Sequence, residues 1–373
     1  MNDVSHDAVS LAAVSNPYAA AANQQFWRRV MSGRKADGVD PVGRVPFTIG
    51  PKDRVATAGS CFAQHISRFM QSAGYNYYVA EPPPASAIKD LDSYGVYSAR
   101  YGNLYTVRQL WQLFQRSHGL FEPADNAWQN RSGTWMDPFR PRITEGGFVS
   151  RSALIEDRER HFVAVRKMFE MADVLVMTLG LTEGWSAVED EAVVPFHPGA
   201  VGAAGHVEEY RFCNFSVGEM EADLASFISA LRTINPGCRI ILTVSPVALI
   251  ATYEDDHVLS ATTYSKSALR VVAETARRAH ENVAYFPSYE IVCGPQSGGA
   301  WFEPDLREVR PEAVAYVMQI FARHYLSDGN VLPAAPPARK TSGAALLAEL
   351  DLSMRATQKI ICDEIMLDRP APQ

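Results

Sequence analysis

Short apolar runs alternate with longer amphipathic segments along most of this chain, and this alternation limits the fold more than any other feature of the sequence. The apolar run at residues 54–58, for example, precedes a stretch in which Phe62, Ile66 and Met70 recur at helical spacing before Gly74. Strand and helix units repeated in this order place parallel strands in one sheet, with helices on both faces. We therefore predict an α/β fold, a three-layer α/β/α sandwich with a mainly parallel sheet.

The predicted strands and helices lie between residues 54 and 324. We predict strands at residues 54–58, 75–79, 173–179, 239–244 and 282–286. We predict helices at residues 62–73, 106–117, 152–172, 216–235, 265–280 and 312–324. The periodic pattern stops between residues 119 and 150, where Trp, Gly and Pro are frequent. Because structureless connections of this length are usually functional, we expect a lid or an irregular wall of a site there, with a surface insertion as the alternative.

The chain divides into four predicted segments. Residues 1–45 form an N-terminal extension, residues 46–330 the main domain, residues 331–342 a linker rich in Pro and Ala, and residues 343–368 an amphipathic C-terminal helix. The apolar stripe of this helix consists of Leu347, Leu350, Met354, Ile361 and Ile365. Such a stripe must be buried, so we expect the helix either to pack on its own chain or to join a second copy in a homo-oligomer.

Charge and composition argue against several classes of partner. The formal net charge is −7 without a Lys/Arg cluster, so the basic surface that binds nucleic acid is missing. No stretch approaches the ~20 apolar residues of a membrane span, and the N-terminus lacks the features of a signal peptide, so we expect a cytoplasmic protein. The five cysteines are scattered without CxxC spacing, and no His/Asp/Glu pair has metal-motif spacing. We therefore predict no disulfide framework, no metal and no cofactor.

Two nucleophilic side chains, Ser60 and Cys61, follow Gly59 at the junction of the first predicted strand and helix. Backbone N–H groups at the start of a helix lack intrahelical partners and carry partial positive charge. Such a position favours a thiolate and can also hold an oxyanion. The ordinary alternative is that Ser60 caps the helix and Cys61 is a small buried residue.

The pentapeptide Gly59-Ser-Cys-Phe-Ala63 resembles the name-giving motif of the GSCFA-domain family, a bacterial group related to the SGNH (GDSL-type) hydrolases. Further blocks of the chain resemble that family in the same order, and together they cover roughly residues 46–325. These blocks are Gly102-Asn-Leu-Tyr-Thr106, Asp137-Pro-Phe-Arg-Pro141, Thr178-Leu-Gly-Leu-Thr-Glu183, Thr243-Val-Ser-Pro246, Tyr264-Ser-Lys266 and Phe286-Pro-Ser-Tyr-Glu290.

The resemblance implies an SGNH-like fold and an esterase or O-acyltransferase that acts on an acylated sugar or polysaccharide precursor through an acyl-enzyme. When the Gly-Asp-Ser motif of the SGNH relatives is superposed on Gly59, their nucleophilic serine falls on Cys61, and Ser60 is the alternative nucleophile. Their acid and base come from an Asp-x-x-His block, where this chain has Asp305 and Glu308. Because Glu308 takes the place of the histidine, the alternative is a non-catalytic ligand-binding or assembly protein that has lost the catalytic histidine.

The candidates for the general base are Asp305, Glu308 and His257. His257 lies in the connection after the fourth predicted strand, from which a loop would carry it across the strand ends, whereas a solvated acidic loop is the alternative. His65 lies one helical turn after Cys61, at a spacing more typical of a packing or surface residue.

The candidate binding residues lie mostly at the carboxyl ends of the predicted strands, where open parallel sheets place their functional side chains. The resemblance to the SGNH relatives implies that an oxyanion is bound by the Gly180 or Gly184 backbone, by Thr182 or by Asn103. In the 119–150 connection, Trp128, Trp135 and Arg140 suit a sugar face and an anionic group. The full set is Gly59, Asn103, Trp135, Arg140, Gly180, Thr182, Glu183, Ser245, Lys266, Tyr289 and Glu290.

Two of these residues carry a further expectation. Lys266 is predicted to lie in a first helical turn, where a cation opposes the helix dipole, and it should therefore have an anionic partner elsewhere. Buried carboxylates also need partners, so we expect Glu290 to pair with Arg140 or Lys266.

Overall fold

The computed structural model describes residues 16–84, 93–327 and 367–368. Its strands are β1 (Val55–Gly59), β2 (Trp128–Asn130), β3 (Trp135–Met136), β4 (Val174–Leu179), β5 (Glu183–Ala187), β6 (Val193–Val194), β7 (Ala203–Ala204), β8 (Tyr210–Asn214), β9 (Arg239–Val244) and β10 (Val283–Tyr285). Its α-helices are α1 (Trp27–Met31), α2 (Phe62–Ser72), α3 (Val107–Ser117), α4 (Arg151–Met171), α5 (Val217–Ile234), α6 (Val258–Ala279), α7 (Ser288–Cys293) and α8 (Pro311–Tyr325). Short 3-10 turns occur at Asn23–Gln25, Ala36–Gly38, Pro198–Val201 and Val207–Glu209.

The central sheet is parallel and contains β1, β4, β9 and β10 in that order. Gly59 of β1 is in register with Thr178 of β4, which in turn is in register with Thr243 of β9. The carboxyl ends of three strands therefore meet at one edge of the sheet, where open parallel sheets bind ligands.

Helices cover both faces of the sheet, which confirms the predicted α/β fold and agrees with a three-layer α/β/α sandwich. Along β4, Leu175 and Met177 face one hydrophobic core, whereas Val174 and Val176 face the other, as the two-residue period of a strand requires. The first core is completed by residues of α3, α4, α5 and α6, and the second by residues of α2, α7 and α8.

Two small antiparallel sheets were not predicted. One has the order β3-β2-β7 and the other the order β6-β5-β8. The first includes residues of the 119–150 connection, and Trp128, Met136 and Phe139 belong to a third core on that side of the molecule. Part of the connection therefore forms short strands with buried side chains, whereas its residues 139–147 line a cleft.

The predicted strand at residues 75–79 is reduced to one parallel bridge between Tyr77 and Val55. The pairing stops there because the next N–H of β1, that of Thr57, donates to the side-chain oxygen of Ser98 at 3.1 Å instead of to a strand carbonyl. Ala80 N–H donates to the carbonyl of Ser98 at 2.7 Å, so the segment around Ser98 covers this edge of the sheet.

Helix boundaries differ most at α6, which begins seven residues before the predicted start at residue 265. The ring of His257 accepts the N–H of Leu259 at 3.1 Å and thereby caps the helix at Val258. The short helix α7 was not predicted either.

The Pro/Ala linker at residues 331–342 lies outside the described residues, as does the predicted C-terminal helix apart from Leu367 and Asp368. Among the described residues, no helix combines the length and apolar character needed to cross a membrane.

Candidate active site

A glycine ends β1 because no side chain fits there. Gly59 has φ of 125°, a conformation that residues with a Cβ rarely adopt, and an added Cβ would overlap the carbonyl of Thr178. Ser60 N–H donates to that same carbonyl at 3.1 Å, after which α2 begins at Phe62. The sequence therefore turns sharply from strand to helix and delivers Ser60 and Cys61 to the carboxyl edge of the sheet, as predicted.

The two candidate nucleophiles differ in access. Cys61 is the N-cap residue of α2, is partly exposed and is not in a disulfide. Ser60 is only 3% exposed, and its Oγ has no hydrogen-bond partner among the described residues. The N–H groups of Ala63 and Gln64 in the first turn of α2 donate to the carbonyls of Ser60 and Cys61, at 2.9 and 3.1 Å, and the helix dipole makes this end of α2 attract negative charge. Of the two neighbours, Cys61 combines that position with partial exposure.

The other described thiols lie in less favourable surroundings. Burial raises the pKa of Cys213 to about 11 and that of Cys238 to about 12. Burial also raises the pKa of Cys293 to about 12, although the nearby charge of Lys266 acts in the opposite direction. All three thiols are therefore protonated at neutral pH.

The segment before α3 places Asn103 beside the Gly59 turn. Leu104 N–H donates to the carbonyl of Gly59 at 3.0 Å. The carboxamide oxygen of Asn103 accepts from the hydroxyl of Tyr97 at 2.5 Å, and that hydroxyl accepts from Gln64 of α2 at 2.9 Å. Asn103 is thus held against the turn. Tyr97 and Gln64 were not predicted as site residues because these contacts are not local in sequence.

The turn after β4 packs against the same residues. Gly180 lies so close to Ser60 that an added Cβ would come within 3.0 Å of the serine Cβ. The N–H groups of Gly180 and Leu181 both donate to the carbonyl of Tyr105, at 3.2 and 2.8 Å. The expectation that the Gly180 N–H binds an oxyanion is therefore not supported, because this donor is already used.

Two successive residues of α6 hold this turn. Thr182 N–H donates to Ser265 Oγ at 3.1 Å, and Lys266 Nζ donates to the carbonyl of Gly180 at 2.6 Å. Lys266 is 1% exposed, and it lies in the third turn of α6 because the helix starts at Val258. Our reason for expecting an anionic partner, a position in the first helical turn, is therefore wrong. The hydroxyl of Thr182 is buried and has no hydrogen-bond partner among the described residues.

The candidates that follow β9 and β10 have structural partners. Ser245 Oγ accepts the N–H of Val247 at 3.3 Å, as in an ordinary turn. Glu290 accepts from Arg270 Nε at 2.9 Å and from the hydroxyl of Tyr285 at 2.8 Å. The expectation that Glu290 pairs with Arg140 or Lys266 is therefore wrong. Its neighbour Tyr289 is half-buried, and burial raises the pKa of the phenol.

Arg140 belongs to a buried network of charges that ties the 119–150 connection to α4. Its guanidinium lies 2.9 Å from Asp157 and 3.0 Å from Asp137, and Asp137 also accepts from Arg158 at 3.3 Å. Burial alone would raise the pKa of Asp137, but Arg158 and Arg140 hold it well below its usual range. A second pair in the same region joins Glu81 to His161 at 2.7 Å. Arg140 thus has two carboxylate partners before any substrate binds.

The two tryptophans that we expected to contact a sugar differ in burial. Trp128 is completely buried and donates to Asp125 at 2.7 Å, so it offers no surface to a sugar, and that expectation is wrong. Trp135 is partly buried in β3, where its backbone pairs with Phe148.

Two depressions meet at Tyr105, whose carbonyl binds the turn after β4. The first, which we call the polar cleft, has a volume of about 550 Å³. Its polar lining residues include Asn103, Asn130, Arg142, Thr144 and Glu145, and its apolar lining residues include Val96, Met136, Phe139 and Ile143. The second, which we call the apolar groove, has a volume of about 240 Å³ and is lined by residues that include Leu181, Trp185, Phe212, Leu249 and Ile250. Tyr105, Pro195 and Phe196 line both depressions.

Glu183 is a polar group in the wall of the apolar groove. It accepts from the hydroxyl of Thr252 at 2.7 Å and from the N–H of Tyr253 at 3.3 Å. Burial raises the pKa of this carboxyl, although both hydrogen bonds act in the opposite direction.

Each candidate base takes part in a local turn. Asp305 is exposed, and its carboxylate accepts the N–H groups of Arg307 and Glu308 at 3.0 Å each. His257 is exposed at the cap of α6. Arg307 Nε donates to the carbonyl of Ala248 at 3.1 Å, so the Asp305 block lies beyond the carboxyl end of β9, on the expected side of the sheet.

The sequence did not predict one cluster of residues of the types that bind metals, because its members are distant along the chain. Ligand atoms of Asp125, His206 and Glu209 all lie within 4.8 Å of one another. One oxygen of Asp125 already accepts from Trp128 and from Tyr210, and His206 lies 2.9 Å from Glu209. Hydrogen bonds and ion pairing account for this arrangement, so we assign no metal to it.

Comparisons with known proteins complete the description. The sequence model of the GSCFA family matches residues 54–321. A comparison with curated proteins gives no match. Among solved structures, the chain is similar to the salicylyl-acyltransferase SsfX3 from a tetracycline biosynthetic pathway, with 17% sequence identity and a TM-score of 0.25. The similarity covers 43% of this chain and 40% of that chain, and a likeness of this size carries no argument about function.

Proposed function

The chain belongs to the GSCFA family, and we propose that it is an SGNH-like esterase or O-acyltransferase that forms an acyl-enzyme on Cys61. The observation that carries this proposal is the difference in access between the two neighbouring nucleophiles. Cys61 is partly exposed at the N-cap of α2, whereas Ser60 is 3% exposed and packs against Gly180. An attacking atom must reach its substrate, and the helix end favours the anionic form that attacks.

The reaction proceeds in two steps of acyl transfer. The Cys61 thiolate adds to the carbonyl carbon of an ester, and the C–O bond to the alcohol then breaks. The alcohol leaves with the proton that the thiol lost, and a thioester remains on Cys61. Water or an acceptor hydroxyl then attacks the thioester carbonyl and releases an acid or a new ester, and its proton restores the thiol.

Two groups beside the turn are suited to the negative charge that develops on the carbonyl oxygen. The dipole of α2 favours negative charge at its N-terminal end, and the side chain of Asn103 is held against the Gly59 turn. We assign the proton carrier to His257, Asp305 or Glu308. Of these, the Asp305 block is anchored to the chain just after β9 through Arg307.

The polar cleft suits an acylated sugar or polysaccharide precursor. Its amide, hydroxyl and charged side chains match the many hydroxyl groups of a carbohydrate, and its wall includes Asn103, whose neighbour Leu104 binds the Gly59 carbonyl. The apolar groove on the other side of Tyr105 and Phe196 suits an acyl group. This substrate class is part of the proposal.

The test is a reaction with p-nitrophenyl acetate that is quenched with acid and followed by peptide mass spectrometry. We expect one acetyl group on the peptide that contains Cys61, and neutral hydroxylamine should remove it, as it removes thioesters. Cys61→Ala should abolish the adduct, whereas Cys293→Ala is the matched thiol control and should retain it. An adduct on Ser60 would make the serine the nucleophile.

The alternative function, ligand binding without catalysis, has one observation in its favour. Among the described residues, Asp305 accepts hydrogen bonds from backbone N–H groups of its own turn, and Glu308 stands where the SGNH relatives have a histidine. If the folded wild-type protein forms no adduct with p-nitrophenyl acetate while an acylated oligosaccharide still binds, the chain is a ligand-binding protein without the reaction. If His257→Ala, Asp305→Asn or Glu308→Gln shifts the pH profile of acylation, the affected residue carries the proton.

A further inference from the structure

The apolar groove has a rigid aromatic wall. The ring of Trp185 lies 4.8 Å from that of Tyr253 and 5.7 Å from that of Phe212, and the last two rings are 5.4 Å apart. These side chains come from β5, β8 and the segment after β9, so the wall is assembled from three separate parts of the chain. A groove with such walls is pre-formed for an aliphatic group.

One residue from the far end of the chain lines the same groove. Leu367 contributes to the groove together with Leu249, Ile250 and Ala251, and 42% of its surface remains exposed. The intervening residues 328–366 lie outside the described part of the chain. At ~3.3–3.6 Å per extended residue, a connection as long as residues 328–366 can reach many parts of the surface, so chain connectivity does not force Leu367 into the groove. We therefore attribute the position of Leu367 to its contacts with the groove.

We propose that the apolar groove is the docking site of the C-terminal end of the same chain, with Leu367 as its aliphatic anchor. The residues on either side agree with this assignment. The sequence around the anchor reads Ile365-Met-Leu-Asp-Arg369, so two apolar residues precede Leu367 and an aspartate follows it. The apolar character of the sequence before the anchor matches the apolar lining of the groove.

Docking of the C-terminal end has a consequence for the candidate active site. The apolar groove is also the proposed site for the acyl group of a substrate. An anchored Leu367 and that acyl group therefore compete for the same surface, which is next to the polar cleft at Tyr105 and Phe196. This consequence rests on the proposed function, whereas the docking itself does not. A tethered group competes at a high effective concentration, so its removal changes the apparent affinity of a free ligand strongly.

Hydrogen exchange of the full-length chain, read by mass spectrometry, tests the docking. Leu367→Asp should speed exchange in the peptides that cover residues 249–253, and Asp368→Ala, the matched control on the neighbouring residue, should leave it unchanged. In the reciprocal experiment, Ala251→Arg in the groove wall should speed exchange in the C-terminal peptide. Equal exchange of residues 249–253 in the wild type and in Leu367→Asp would overturn the proposal.

Dilution and a free ligand distinguish the other occupants. If protection of residues 249–253 in the wild type decreases on dilution, the occupant comes from a second copy, and docking within one chain is overturned. NBD-labelled hexanoate should bind Leu367→Asp about tenfold more tightly than the wild type. Equal binding would show that Leu367 does not cover the groove. None of these measurements depends on catalysis, so a failed acylation test leaves the docking proposal intact.

Discussion

Lys266 Nζ donates a hydrogen bond to the carbonyl oxygen of Gly180 at 2.6 Å, and the lysine side chain is almost completely shielded from solvent. The preceding residue, Ser265, accepts the N–H of Thr182. Two adjacent residues of α6 therefore fix both ends of the turn after β4. Because Gly180 packs on Ser60, the position of the candidate nucleophiles depends on a helix that is distant from them in sequence.

Lys266→Met should destabilise the protein. The substitution keeps most of the apolar stem but leaves the buried carbonyl of Gly180 without its charged donor, and such bonds contribute about 1.5–3 kcal/mol. The measurement is the free energy of unfolding in urea, with Lys52→Met as the control because Lys52 is exposed. A loss in Lys266→Met no larger than that in the control would contradict the assigned role of the hydrogen bond.

Gly59→Ala and Gly74→Ala separate steric overlap from backbone strain. Both glycines have positive φ, but an added Cβ at Gly74 meets no atom within 4 Å, whereas at Gly59 it overlaps the Thr178 carbonyl. Gly74→Ala should therefore cost only the strain, roughly 1–2 kcal/mol. Gly59→Ala should cost clearly more, because β1 and β4 must also move apart. Thermal unfolding of the two variants gives the comparison, and equal losses would show that overlap is unimportant.

Stability should fall in acid through the Glu81–His161 pair. Burial alone would raise the pKa of Glu81, but His161, Arg140 and the Arg100 N–H outweigh it and lower the pKa to about 2. A carboxylate with a lowered folded-state pKa binds fewer protons than the unfolded chain, so its contribution is complete above the unfolded value of about 4.3 and is lost as the pH falls towards 2. Glu81→Gln should flatten this acid dependence.

The measurement for Glu81 is the urea midpoint across that pH window. Glu122→Gln is a suitable control because Glu122 is exposed and has no assigned partner in the network. The control should keep the acid dependence of the wild type. The same slope in the wild type and in Glu81→Gln would mean that Glu81 does not contribute to it.

The sequence predicted the parts of the fold that depend on neighbouring residues. The Gly59 turn was found because an apolar run, a glycine and a helical repeat follow one another directly, and β4 and β9 were found as continuous apolar runs. The start of α6 was missed because residues 258–264 contain polar and β-branched residues and the capping side chain is a histidine.

Contacts between distant residues account for most of the rest. The ion pairs of Arg140 with Asp157 and of Glu290 with Arg270 join residues whose separation carries no local signal. The strand β5 begins with Glu183 and Gly184 and is stabilised by pairing with β8, so its own residues did not predict it. Access to Ser60 and Cys61 is likewise a property of packing, and only coordinates distinguish the two.

Thiol reactivity provides the most direct measurement at the candidate nucleophile. At neutral pH, limiting iodoacetamide should alkylate Cys61 faster than Cys213, Cys238 or Cys293, whose pKa values are raised by burial to about 11, 12 and 12. Cys362, which lies outside the described residues, is also expected to react more slowly than Cys61. Peptide-resolved mass spectrometry ranks the thiols, and the ranking should be repeated at higher pH.

The pH dependence of alkylation identifies the reason for that ranking. Because the thiolate is the reactive form, the rates at Cys213, Cys238 and Cys293 should still rise about tenfold per pH unit between pH ~7 and ~9, well below their pKa values. Cys61, which lies at the N-terminal end of α2, should gain less over the same range. If Cys61 is the slowest of the four described thiols, or if its rate rises as steeply as theirs, it is not an activated thiol. The acyl-enzyme would then have to form on Ser60, and Ser60→Ala should abolish the adduct that Cys61→Ala retains.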